Sequence, residues 1–239
     1  GASFSTKLAK DKVKINANYG YSDLSLDKNS TQNATNYLQS DSYTSYEKEF
    51  QQNNKNTHSG KINIESDIDS LTNITFKASA SKNNLDNFKS IHSTRNALDS
   101  TTITAIDRNL NNQATQNAFK SELSLLRKFS KKRRLFTVIG KFSLSDKNGN
   151  TGLKSNNNYY ALNRFEVLDQ LQNTSGNNNN YNFLTSFTEP LSEKTSVQGN
   201  YYYSNSTSKL TKLTNEYDEL THGYTRYIDT LSNNFDYTV

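Results

Sequence analysis

Val13-Lys14-Ile15-Asn16-Ala17-Asn18-Tyr19-Gly20-Tyr21 alternates apolar and polar residues almost without a break. Successive side chains of a strand point to opposite sides, so the stretch builds one apolar face from Val13, Ile15, Ala17, Tyr19 and Tyr21. Lys14, Asn16, Asn18 and Gly20 fall on the other face. Working outward, Ile62 and Ile64 alternate with Lys61, Asn63 and Glu65, and Ile74, Phe76, Ala78 and Ala80 with Thr75, Lys77 and Ser79. Further on, Phe119, Ser121, Leu123 and Leu125 oppose Lys120 and Glu122, and Phe136, Val138, Gly140, Phe142 and Leu144 oppose Lys141 and Ser143. The last two runs are Tyr181, Phe183, Thr185, Phe187 and then Val197, Gly199, Tyr201, Tyr203.

These runs are joined in pairs by short turns near residues 10, 70, 132 and 191, a rhythm of about 60 residues. The turns read Lys10-Asp11-Lys12, Asp69-Ser70-Leu71-Thr72, Ser130-Lys131-Lys132-Arg133-Arg134 and Glu189-Pro190-Leu191-Ser192-Glu193-Lys194. Strands are predicted at 2–9, 13–24, 56–67, 73–84, 116–129, 135–146, 180–189 and 195–206, with a ninth starting near Phe235. Long polar loops are expected between the hairpins, at 25–55, 85–115, 147–179 and 207–234. The fold class is therefore all-β, an antiparallel up-and-down meander in one segment spanning residues 1–239.

Only 32% of the chain is apolar, mean hydropathy is −0.91, and 35 Asn, 30 Ser and 25 Thr fill the rest. Such a composition alone reads as disorder, but the apolar residues are sorted onto one face rather than scattered. A continuous apolar sheet face needs a second sheet, helices or lipid against it, and no stretch carries the i, i+3, i+4 apolar spacing of a helix. Tilted strands of about 9 to 11 residues, apolar outside and polar inside, with short turns at one end and longer loops at the other, describe a transmembrane β-barrel. The expectation is such a barrel, or a segment of a larger one.

On that reading Val13, Ile15, Ala17, Ile62, Ile64, Ile74, Phe76, Leu123, Leu125, Val138, Phe142, Phe183 and Val197 face lipid. Tyr19, Tyr21, Tyr181, Tyr201 and Tyr203 form an aromatic girdle at the outer interface. Lys14, Lys61, Glu65, Lys77, Lys120, Glu122 and Lys141 face a wet lumen, because a midplane Lys on the lipid side costs about 2 to 4 kcal/mol. No run of 18 apolar residues exists for a transmembrane helix, and the first residues lack the parts of a signal peptide. The absence of Cys excludes disulfides and thiolate metal sites.

Four stretches carry a resemblance. Tyr181-Asn182-Phe183 leading to Thr188-Glu189-Pro190-Leu191 and the Tyr201-Tyr202-Tyr203 strand resemble outer-membrane β-barrel proteins of the Bacteroidetes related to TonB-dependent receptors. Ile68-Asp69-Ser70-Leu71 and Leu231-Ser232-Asn233-Asn234-Phe235 are similar to stretches of the same family. The resemblance implies a cell outer-membrane location, the wall of a transport barrel for substrate uptake, and as partners outer-membrane lipid, a TonB-type energy-coupling protein and a surface lipoprotein. It also implies that the chain is a middle portion of the barrel, since neither a plug nor a regulatory domain is visible.

Chemistry-bearing motifs are sparse. His58, His92 and His222 stand far apart, outside any zinc spacing. No catalytic residue, metal site or cofactor is expected, although His222 with Asp218 and Glu219 forms one thin acid–histidine cluster. Asp146-Lys147-Asn148-Gly149-Asn150 lacks the acidic twelfth position of a calcium loop and reads as a Gly-containing loop. Asn177 to Asn180 read as a flexible loop tip. The net charge is +5, and Lys128, Lys131, Lys132, Arg133 and Arg134 sit on a turn without interleaved aromatics, so no nucleic-acid partner is expected. The alternative to a barrel is a surface-exposed adhesin or a soluble β-sandwich that recognises ligands through its loops.

Overall fold

The structure is a computed structural model that describes residues 1–38 and 42–239. Ten strands run in chain order: β1 (Ala2–Leu8), β2 (Val13–Asn36), β3 (Tyr43–Asp69), β4 (Thr72–Ala97), β5 (Thr102–Lys128), β6 (Leu135–Tyr159), β7 (Arg164–Pro190), β8 (Ser196–Asp218), β9 (Gly223–Tyr227) and β10 (Asn233–Thr238). β1 to β8 pair antiparallel in sequence order and both β9 and β10 pair β8, giving one sheet of order β1-β2-β3-β4-β5-β6-β7-β8-β10 with β9 beside it on β8. β9 pairs the upper end of β8, and the chain makes a 3₁₀ turn at Asp229–Leu231 before continuing down the same strand as β10. The sheet is an open meander; among the described residues β1 and β10 do not pair.

Turn positions agree with the sequence reading, but strand lengths do not. β2 to β8 span 23 to 27 residues, against a usual strand of about 5 to 6. The stretches 25–55, 85–115, 147–179 and 207–234 are therefore largely strand among the described residues, and the far connections shrink to 98–101, 160–163 and 219–222. Asn177 to Asn180 lie inside β7 and Asp146 to Asn150 inside β6, so neither is a loop. Along a strand Asp146, Asn148 and Asn150 share one face while Lys147 and Gly149 take the other, which leaves no convergent turn for a calcium ion. The ninth strand begins at Gly223, well before Phe235.

The reason for the difference is that alternation detects only a half-buried strand. A sheet wet on both faces carries polar residues at every position, and its ladder of backbone hydrogen bonds needs no apolar face. Asn is disfavoured in strands, yet here its amides knit adjacent strands together. Ser25 donates to Asn54 at 2.7 Å, Thr57 to Asn83 at 2.9 Å, Thr115 to Asn84 at 3.1 Å and Thr151 to Asn112 at 3.1 Å. Such cross-strand pairs are the unit of sheet stabilisation, each worth roughly 0.2 to 1 kcal/mol.

No second layer covers either face. Ala114 and Pro190 are the buried apolar side chains among the described residues, accompanied by buried Thr72, Ser155, Asn157 and Thr214. Ala114 lies directly across from Gly149, whose missing side chain matters. A Cβ there would stand 3.0 Å from both the Ala114 Cβ and the Gln113 carbonyl.

Candidate functional site

In an antiparallel pair, directly opposed residues share a face, so the register sorts every side chain. Starting from Ile15, one row across the sheet reads Ile64, Phe76, Leu123, Gly140, Phe183 and Tyr203. The row below runs from Val13 through Ser66, Ile74, Leu125, Val138 and Thr185 to Tyr201. Above lie the rows that begin Ala17–Ile62–Ala78 and Tyr19–Gly60–Ala80. None of the four rows contains Asp, Glu, Lys or Arg. The next row, Tyr21–His58–Lys82–Asn117–Asp146–Asn177–Lys209, is charged again.

All thirteen residues expected to face lipid, Val13, Ile15, Ala17, Ile62, Ile64, Ile74, Phe76, Leu123, Leu125, Val138, Phe142, Phe183 and Val197, fall on this one face. From Val13 to Tyr19 the charge-free rows cover seven residues of β2, fewer than the about 9 to 11 of a tilted transmembrane strand, and the mixed Tyr21 row closes the band. The side chains stand open: Leu123 is 54% exposed, Val197 56% and Tyr201 59%.

The five girdle tyrosines share the face, but not a row. Tyr19 and Tyr21 lie six and eight residues beyond Val13, Tyr181 nine residues before Pro190, and Tyr201 and Tyr203 five and seven beyond Ser196. Counting from the short turns aligns them where counting across rows does not, the stagger expected of tilted strands. At the upper edge the Tyr19 hydroxyl meets His58 Nδ1 at 2.7 Å, and Asn56 donates to the Tyr21 hydroxyl at 2.7 Å. The Tyr21 and His58 rings are 4.9 Å apart.

The opposite face of the same band holds the charge. Its rows include Lys14–Glu65–Thr75, Asn63–Lys77–Glu122–Lys141 and Lys61–Ser79–Lys120, so all seven residues expected to face the lumen lie together. Glu122 bridges Lys77 at 3.5 Å and Lys141 at 3.2 Å. A cavity of about 660 Å³ lies against this face, lined by Lys61, Lys77, Lys120, Lys141, Glu122 and a set of Asn and Ser side chains.

At the short-turn end, below the band, carboxylates are tied down. Asp69 accepts the Leu71 amide at 2.7 Å and Arg127 at 2.7 Å; these bonds, the amide first, lower its pKa to about 2. Glu189 binds Arg134 at 2.6 and 2.7 Å and Lys131 at 2.5 Å, with its pKa lowered to about 2, chiefly by Arg134. Arg133 reaches the Glu193 carbonyl, so most of the basic run is engaged in holding neighbouring turns together.

At the far end, sequence reasoning missed an ordered polar cluster. Tyr224 donates to Asp169 at 2.7 Å, which pushes its phenol up to about 12, while Lys154 stands 3.4 Å from Asp169. No alternation in the surrounding sequence signals this cluster, whose members come from β6, β7 and β9. The histidines stay apart: His58 serves Tyr19, His92 meets Asp107 at 2.6 Å, and His222 occupies a turn at φ 50°. Asp218 accepts the Leu220 amide at 2.9 Å and holds that turn. Among the described residues no three His, Cys, Asp or Glu side chains gather as a metal site, and no helix is long and apolar enough to cross a membrane, which says nothing of a β-barrel. Compared with known proteins, the chain matches no family model and no curated protein.

Proposed function

We propose that this chain forms part of the wall of an outer-membrane β-barrel, similar to TonB-dependent receptors, through which a substrate enters the cell. One observation carries the reading: across seven paired strands the band is free of charge on one face, while on the other β2 to β6 carry lysine and glutamate and β7 and β8 are mainly Asn and Ser. Water on both sides gives no reason for that segregation, whereas hydrocarbon outside and a wet lumen inside require it. Connections are short at both ends, so loop length no longer separates a barrel from a sandwich. The separation rests instead on the single sheet, which supplies no second layer for the apolar face.

The band and its lysine-bearing face support a wall; coupling to a TonB-type protein, a lipoprotein partner and the direction of transport come from the family resemblance. The test is expression with native flanking sequence, followed by gel mobility of unheated and boiled outer-membrane samples. A heat-dependent shift is the expected result. A soluble product with no shift contradicts the reading and favours a recognition module.

A further inference from the structure

Within the band, the polar face carries Lys7, Lys14, Lys61, Lys77, Lys120 and Lys141 against only Glu65 and Glu122. Lys77 and Lys141 share Glu122. Lys61 and Lys120 lie in one row on either side of Ser79, and neither has a carboxylate within ion-pair distance among the described residues. Two strand spacings separate their backbones, roughly 9.6 Å. Lysine side chains of that spacing can close on one bound anion, and water-filled walls with fixed charge select by sign.

Asn63, in the same cavity, donates its amide N–H to Glu65 at 3.1 Å, which fixes its orientation because a carboxylate only accepts. Its Oδ1 is then left buried without a hydrogen-bond partner. A buried acceptor of this kind costs stability until a donor arrives. That oxygen lies beneath the accessible surface, so what the face offers a solute is the two unpaired ammonium groups, which match an oxyanion.

We propose that the concave face between Lys61 and Lys120 binds the oxyanion of an acidic solute, its phosphate, sulfate or carboxylate held by the two lysines. The site names a substrate class for the transport reading and rests on it for its setting in a lumen.

The test is calorimetric titration of the full chain in detergent micelles, its strand content followed by circular dichroism, with glucose 6-phosphate, glucuronate and glucose as probes. Glucose 6-phosphate and glucuronate are expected to bind, and glucose to bind at least about tenfold more weakly, with Lys61→Gln/Lys120→Gln removing the preference. Preference for the phosphate over glucuronate identifies a phosphate ester as the oxyanion source, and the reverse identifies a carboxylate. Lys82→Gln, on the opposite face, leaves binding unchanged. Equal binding of glucose and glucose 6-phosphate, or equal loss in Lys82→Gln, overturns the site. A micelle-inserted chain without acid preference defeats this inference alone; a water-soluble chain that still binds through Lys61 and Lys120 defeats the barrel and keeps the site.

Discussion

The lower and upper halves of β4 belong to one strand with one hydrogen-bonding register, yet they obey different rules. From Ile74 to Ala80 the even positions are apolar and the odd positions polar; from Lys82 upward the same even face carries Lys82, Asn84 and Asp86. The backbone does not change, so the surroundings must. On the proposed barrel reading the lower half meets two different media on its two sides, and the upper half water on both. Side-chain identity here reports solvent more than secondary structure.

The sharpest way to break this comparison is to put the same charge on both halves of the same face. Ala78→Lys is expected to cost about 2 to 4 kcal/mol of stability in the bilayer, and Asn84→Lys less than about 0.5 kcal/mol. Reversible unfolding in lipid vesicles reads both. On a single strand, Val138→Lys is expected to damage membrane assembly far more than Lys141→Val, because the two positions lie on opposite faces of β6. Equal damage from the two would contradict the facing.

Gly149→Val sharpens the picture of the upper half as closely packed sheet rather than loose loop. Its branched side chain meets Ala114 and the Gln113 carbonyl, and the expected cost is about 1 to 3 kcal/mol in the same unfolding experiment. A loop at that place would absorb the change.

Smaller effects sit at the short turns. Ala9, Lys10 and Asp11 hold φ of 52°, 57° and 68°, the left-handed region that costs a non-glycine residue roughly 1 kcal/mol. Lys10→Gly is therefore expected to raise stability by about 0.5 to 1 kcal/mol. Smallest is the acid response. Asp69 and Glu189 fall to about 2 from 3.8 and 4.5, so their contribution is present above those ordinary values and fades as pH drops towards 2. Asp69→Asn with Glu189→Gln should flatten the loss of stability between pH 5 and 2; an unchanged acid limb would mean that these bonds do not hold the turns.

The division of the lower band into two faces was legible in the sequence almost to the residue, since apolar and polar side chains alternate there with the two-residue period of a strand. Ile15, Phe76 and Phe183 could be placed on one face, and Lys61, Lys77 and Lys141 on the other, before any fold was seen. The upper half was not legible, because Asn53-Asn54, Asn83-Asn84 and Asn177 to Asn180 place amides on both faces and leave no period to read. Polar composition there was mistaken for loop, when hydrogen bonds such as Ser25 to Asn54 and Thr115 to Asn84 make it sheet. Asn63 was placed correctly on the polar face, but that its carbonyl lacks a partner depends on where Glu65 points, which no sequence pattern conveys.

The central claim is that one face of the band meets hydrocarbon. The chain has no native Cys, so single cysteines can be introduced from Ile74 to Ile91 of β4, spin-labelled and reconstituted in bilayers. The account predicts that collision with oxygen dominates at positions 74, 76, 78 and 80, that collision with a water-soluble relaxant dominates at 75, 77 and 79, and that the relaxant dominates at every position from 83 to 91. Water accessibility on both faces along the whole strand, or an even face in the band shielded from oxygen and relaxant alike, would contradict it.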